Sequence, residues 1–175
     1  MNKIQKGTVN LKPDGKDPHV LATFQTRPNP RDDMASSDGL CFDADGNLYT
    51  GNFGDGAFYR LTLDDRGNVS SKECLIRSDR LPCVDGIFCD KSRDIIYITD
   101  SQENAVKVYD ISSGELSVLW ENGDTDGSGG LLDQPCEPIL RDGKLIVANF
   151  DMPMPGLKNS TWDKPYTVSV IDLER

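Results

Sequence analysis

Three carboxylates stand at the head of a repeated stretch, and their spacing is the best chemical signal in this sequence. Asp38 opens D-G-L-C-F-D, Asp85 opens D-G-I-F-C-D 47 residues later, and Glu137 opens a degraded third copy 52 residues after that. A second set, Asn52, Asp100 and Asn149, closes the strand-like run that follows each. If each copy begins with two antiparallel strands, the head of the first and the end of the second lie at one edge. Oxygen-bearing side chains would then face one place from every copy. Three carboxylates gathered there repel one another, and at least one must take up a proton unless a cation sits among them. Oxygen donors without paired His or Cys select a hard divalent ion, Ca2+ above Mg2+. Asp-Gly before a strand is also an ordinary turn, but Glu137, between Cys136 and Pro138, is not a turn residue.

Other candidates are weaker. His19 is the one histidine and lies in a polar turn, so a His-dependent mechanism is not expected. Five cysteines, odd in number and without C-x-x-C spacing, suggest neither a zinc site nor a disulfide framework. Asn122, Asp124, Asp126, Gly127 and Asp133 fall at nearly the spacing of a calcium-binding EF-hand loop. The flanking residues do not suit helices, so a connection between sheets is the expectation. A long segment over residues 150–165 carries Met152, Met154 and Trp162, which would offer an apolar substrate a lid over the acidic cluster.

A net charge of −10 excludes the basic face that nucleic acid or an anionic membrane would need. The first residues have no apolar stretch of the kind that directs export, and no apolar run reaches membrane-spanning length. A cytoplasmic protein that handles a cation or small molecule is expected. With 175 residues and 37% hydrophobic content, the chain can bury one sizeable core.

The elements that must position the carboxylates follow from the repeat. Runs rich in aromatic and β-branched residues alternate with turns such as Asp45-Gly46-Asn47 and Asp64-Asp65-Arg66-Gly67-Asn68. A period of roughly 40–50 residues holding about four strands indicates an all-β protein, a β-propeller of four-stranded antiparallel blades. Residues 1–27 are expected to supply the last two strands of a blade, 8–11 and 20–24 around a turn. Residues 36–78 and 83–121 give full blades, and 133–175 a closing blade of three strands. About three blades do not close a ring. Either two copies complete one as a homodimer, or the chain is the C-terminal portion of a longer protein, which the start inside a blade favours.

The stretch from Asp38 to Tyr49, with Asp85-Gly86-Ile87 and Ile96-Tyr97-Ile98-Thr99-Asp100-Ser101 in the next copy, resembles the senescence marker protein / gluconolactonase / luciferin-regenerating enzyme family. The resemblance implies half of a six-bladed propeller holding Ca2+, or another divalent cation such as Mg2+, Zn2+ or Mn2+, in its central channel. It implies hydrolysis of lactones or related esters. Asp38 and Asp85 fall on the family's metal-ligand place, Glu137 stands at the corresponding spot of the third blade, and Asp38 or Asp85 would be the catalytic carboxylate. Asn52, Asp100, Asn149, Met152 and Trp162 are expected to meet the substrate. A further ligand of that family comes from a blade absent here. The same short motifs also occur in metal-free NHL-type propellers, so a scaffold that binds a ligand or protein is the rival expectation.

Overall fold

The computed structural model describes residues 20–29, 31, 35–152 and 154–174. Three antiparallel sheets stand side by side. The first is β1 (Ser37–Phe42), β2 (Leu48–Asn52), β3 (Phe58–Leu63) and β4 (Val69–Ile76), in that order. The second repeats it with β5 (Ile87–Asp90), β6 (Ile95–Asp100), β7 (Ala105–Asp110) and β8 (Leu116–Glu121). The third has β9 (Pro135–Arg141), β10 (Lys144–Asn149) and β11 (Val168–Asp172), ordered β9-β10-β11. One turn of 3-10 helix, Ser128–Gly130, lies between the second and third sheets in sequence. The fold is an all-β, partial propeller. Among the described residues no helix is long and apolar enough to cross a membrane.

Turn chemistry sets the registers. Asp43 accepts from the backbone N–H groups of Asp45 and Asn47 at 3.0 and 2.8 Å and so folds the β1–β2 turn. Asp64 does the same for the β3–β4 turn, accepting from Arg66 and Asn68, and Asp90 and Asp110 do so for the turns of the second sheet. Four aspartates thus serve as turn acceptors. In the third sheet Arg141 pairs directly with Lys144, and Asp142 and Gly143 take φ of 50° and 70°, the left-handed pair of a two-residue hairpin.

The middle sheet is buried on both faces, which follows from the alternation of side chains along a strand. On β6, Ile96 and Ile98 pack toward the first sheet with Tyr49, Phe58 and Ile87. Tyr97 packs the other way, with Leu145, Val147 and Ile171 of the third. Of the innermost strands, β5 lies against both β1 and β9. Two glycines permit that approach. A Cβ on Gly39, whose φ is +59°, would stand 2.5 Å from the Asp85 carbonyl oxygen, and one on Gly86 would stand 2.2 Å from that of Cys136. The Asp-Gly repeat is thus a packing device as well as a source of carboxylates.

Residues 20–24, expected as a strand, carry no strand pairing among the described residues. The Phe24 ring stands 4.9 Å from that of Tyr59, and the Thr23 carbonyl accepts from Lys72 Nζ at 2.9 Å. The expected partner strand at 8–11, its turn and His19 lie outside the described residues.

Candidate functional site

Convergence of the inner strands brings Asp38 and Asp85 to one pocket of about 420 Å3. Phe53, Phe150, Met152 and Met154 form its apolar wall, and Cys136 lies beside the carboxylates. Asp38 is exposed, its Oδ1 taking the N–H of Gly39 at 2.9 Å. Asp85 is half-buried, its Oδ2 2.8 Å from Ser101 Oγ. Ser101 Oγ also stands 2.8 Å from the carbonyl oxygen of Pro135. One hydroxyl proton faces two acceptors, and a proton on Asp85 would relieve that conflict.

The charges agree. Burial pushes the Asp85 carboxyl up to about 7, the Ser101 hydrogen bond opposes it, and the charges of Asp38 and Glu137 raise it further. Glu137 is raised too, by partial burial and then by Asp38. The Cys136 thiol is pushed up to about 11 by burial and by Asp85 and Glu137, so it is a poor nucleophile at neutral pH. The three carboxylates thus feel one another, as the repeat leads one to expect. By element type and charge they suit a hard divalent cation. By spacing they do not form a complete site: among the described residues no three His, Cys, Asp or Glu side chains group closely enough to hold a metal ion.

Of the five side chains expected to meet substrate, Met152 lines the pocket. The other four are placed differently. Asn52 is fully buried, and its Oδ1 accepts from the N–H groups of Gly54 and Asp55 at 3.0 and 3.1 Å, ordering the β2–β3 loop. Asp100 is also fully buried and accepts from Lys107 Nζ at 2.5 Å, while that ammonium donates to the Arg80 carbonyl at 2.6 Å. Burial still pushes Asp100 up to about 6 against the pull of Lys107. Asn149 donates to Thr167 and Ser169, both at 2.8 Å. Trp162 is 62% exposed and donates to the Tyr166 hydroxyl at 3.3 Å. Alternation explains the error at Asp100: its neighbours on either side, Thr99 and Ser101, reach the inner strands, hydrogen-bonding to Gly86, Cys136 and Asp85. Ser101 was visible in the sequence as that off-by-one neighbour.

The calcium-loop spacing at 122–133 has another use. Asn122 Oδ1 takes the Leu132 N–H at 2.9 Å, Asp124 takes the Thr161 hydroxyl at 2.8 Å, and Asp133 is fully buried against Asn159. Asn122 thus closes the connection on itself, while Asp124 and Asp133 tie it to the segment between β10 and β11.

No protein-family model matches the chain, and no curated protein matches it. Solved structures do. It is similar to a gluconolactonase from Xanthomonas campestris, with TM-score 0.60 and 14% identity over 80% of this chain and 45% of that one. A luciferin-regenerating enzyme gives TM-score 0.60 and 14% identity over 77% of this chain and 44% of that one. Regucalcin from Agrobacterium tumefaciens, a calcium-binding protein, gives 0.51 and 23% over 65% and 37%. The chain spans less than half the length of each. At these identities the likeness is one of fold, and the resemblance to senescence marker and gluconolactonase-type propellers is borne out at that level.

Proposed function

We propose that this chain forms half of a propeller that hydrolyses lactones or related esters with the help of a divalent cation, calcium first. The observation that carries the reading is Asp85, a carboxyl facing the same pocket as Asp38 and raised to about 7. A group that is part ionised at neutral pH is matched to proton transfer. Ionised Asp85 would take a proton from water as its oxygen bonds to the ester carbonyl carbon. The proton then passes to the departing alkoxide as the ester C–O bond breaks, leaving a hydroxy acid, or an acid and an alcohol. Ser101 would hold the Asp85 carboxyl in place from below. A cation bound near Asp38 and Asp85 would polarise the carbonyl, with further ligands supplied from outside the described residues.

The reading is tested by following hydrolysis of a panel of lactones and aryl esters with calcium and with chelator. Turnover lost in Asp85→Asn and suppressed by chelator is expected. An inert panel, or equal turnover by Asp85→Asn, would remove the assignment.

The flank of the third sheet favours a second copy as partner. Ile139, Val168 and Val170 are each at least half exposed on that sheet, and the related gluconolactonase is about twice as long as the stretch matched. Two copies stacked third sheet to first would complete one ring. Wild type should then run as a dimer by light scattering and Val170→Glu as a monomer; a monomeric wild type excludes the pairing. The scaffold reading makes a different forecast, no shift in melting temperature at millimolar calcium.

A further inference from the structure

Resting on the hydrolase reading, we infer that the pocket takes a lactone or ester bearing an apolar alkyl or aryl substituent, not a polyhydroxylated sugar lactone. Among the described residues, a ligand in the pocket would touch one acidic side and one apolar side. Asp38 and Asp85 are the strongly hydrogen-bonding side chains of the lining, and Phe53, Phe150, Met152 and Met154 supply the facing wall. A sugar lactone brings several hydroxyls, each needing a partner once it leaves water, and an apolar wall offers none. An alkyl or aryl group laid on the same wall gains from the area it covers. The wall is unsatisfied as it stands: Phe150 is 47% and Met152 43% exposed.

That wall is also held in place. The buried Gln134 grips its far side twice, accepting the Phe150 N–H on its carbonyl oxygen at 2.8 Å and the Met152 N–H on its side-chain oxygen. Between them Asp151, with φ of 42°, accepts the Asp163 N–H at 3.0 Å. On the near side Arg31 lies 5.1 Å over the Phe53 ring and donates to the Phe53 and Gly54 carbonyls. A surface fixed by this many backbone contacts is preorganised for an apolar group.

The test is binding, which separates this inference from turnover. The chain has four methionines, so methyl-labelled methionine gives a short spectrum in which Met152 and Met154 report the wall directly. Titration with δ-hexalactone, δ-octalactone and δ-decalactone should move those two methyl signals. Affinity should rise roughly three- to fourfold for each added methylene. Glucono-δ-lactone should leave them still, and Met152→Gln should weaken δ-decalactone several-fold. Equal or tighter binding of glucono-δ-lactone, a flat series, or silence from every lactone would overturn the inference. Tight δ-decalactone binding without hydrolysis would support it while counting against the hydrolase; preferred hydrolysis of glucono-δ-lactone would do the reverse.

Discussion

Two carboxylates of the second sheet, Asp85 beside β5 and Asp100 at the end of β6, have both been lifted above the ordinary range, and by the same first cause, burial. They differ in what faces them. Asp100 has an ammonium at 2.5 Å and is wholly enclosed, so its charge is answered inside the fold. Asp85 meets a hydroxyl, feels the charges of Asp38 and Glu137, and opens on a pocket. A raised carboxyl alone does not mark a site; a raised carboxyl whose charge the fold leaves unanswered, with room beside it, does.

That contrast breaks most sharply at Asp85. Asp85→Asn should lower turnover roughly 10²- to 10⁴-fold while raising the melting temperature at pH 8 by a few degrees, because the amide ends an unfavourable ionisation. At Asp100 the effects should reverse. Lys107→Met leaves a buried carboxylate without its partner and should cost about 3–5 kcal/mol in denaturant unfolding, with any loss of turnover tracking the unfolded fraction.

The pH dependence sharpens the same contrast. The folded state holds the Asp85 proton up to about 7, whereas the unfolded chain releases it near the ordinary aspartate value of 3.8. The unfolded state therefore binds fewer protons across that window, and stability falls as pH rises through it, by roughly 2–4 kcal/mol. Urea midpoints measured from pH 4 to 8 should decline in wild type and decline less in Asp85→Asn. Turnover should climb over the upper part of the same range as Asp85 ionises. The smallest expected effect is at Ser101. Ser101→Ala should reduce kcat about tenfold with little change in KM, and Ser101→Thr should restore part of it.

The repeat made the propeller and the carboxylates legible together, because Asp38-Gly39 and Asp85-Gly86 do two jobs in one dipeptide. Their glycines let β1, β5 and β9 close up, and that closure carries Asp38 and Asp85 to one pocket. What stayed hidden was parity and distance. Asp100 and Asn52 carry the right chemistry at the right strand end, yet one side chain turns to Lys107 and the other folds its own loop. Of the apolar wall, Met152 and Met154 are legible as a cover for the acidic cluster, whereas nothing in the sequence singles out Phe53. Gln134, which grips Phe150 and Met152, lies far from both in sequence.

Whether the charges of Asp38 and Glu137 reach Asp85 is read by titrating the Asp85 side-chain carboxyl by carbon NMR in metal-free protein. A midpoint of about 7 is expected, moving down when Asp38→Asn and Glu137→Gln remove the neighbouring charges. A midpoint near 4, or one indifferent to both substitutions, would contradict the account.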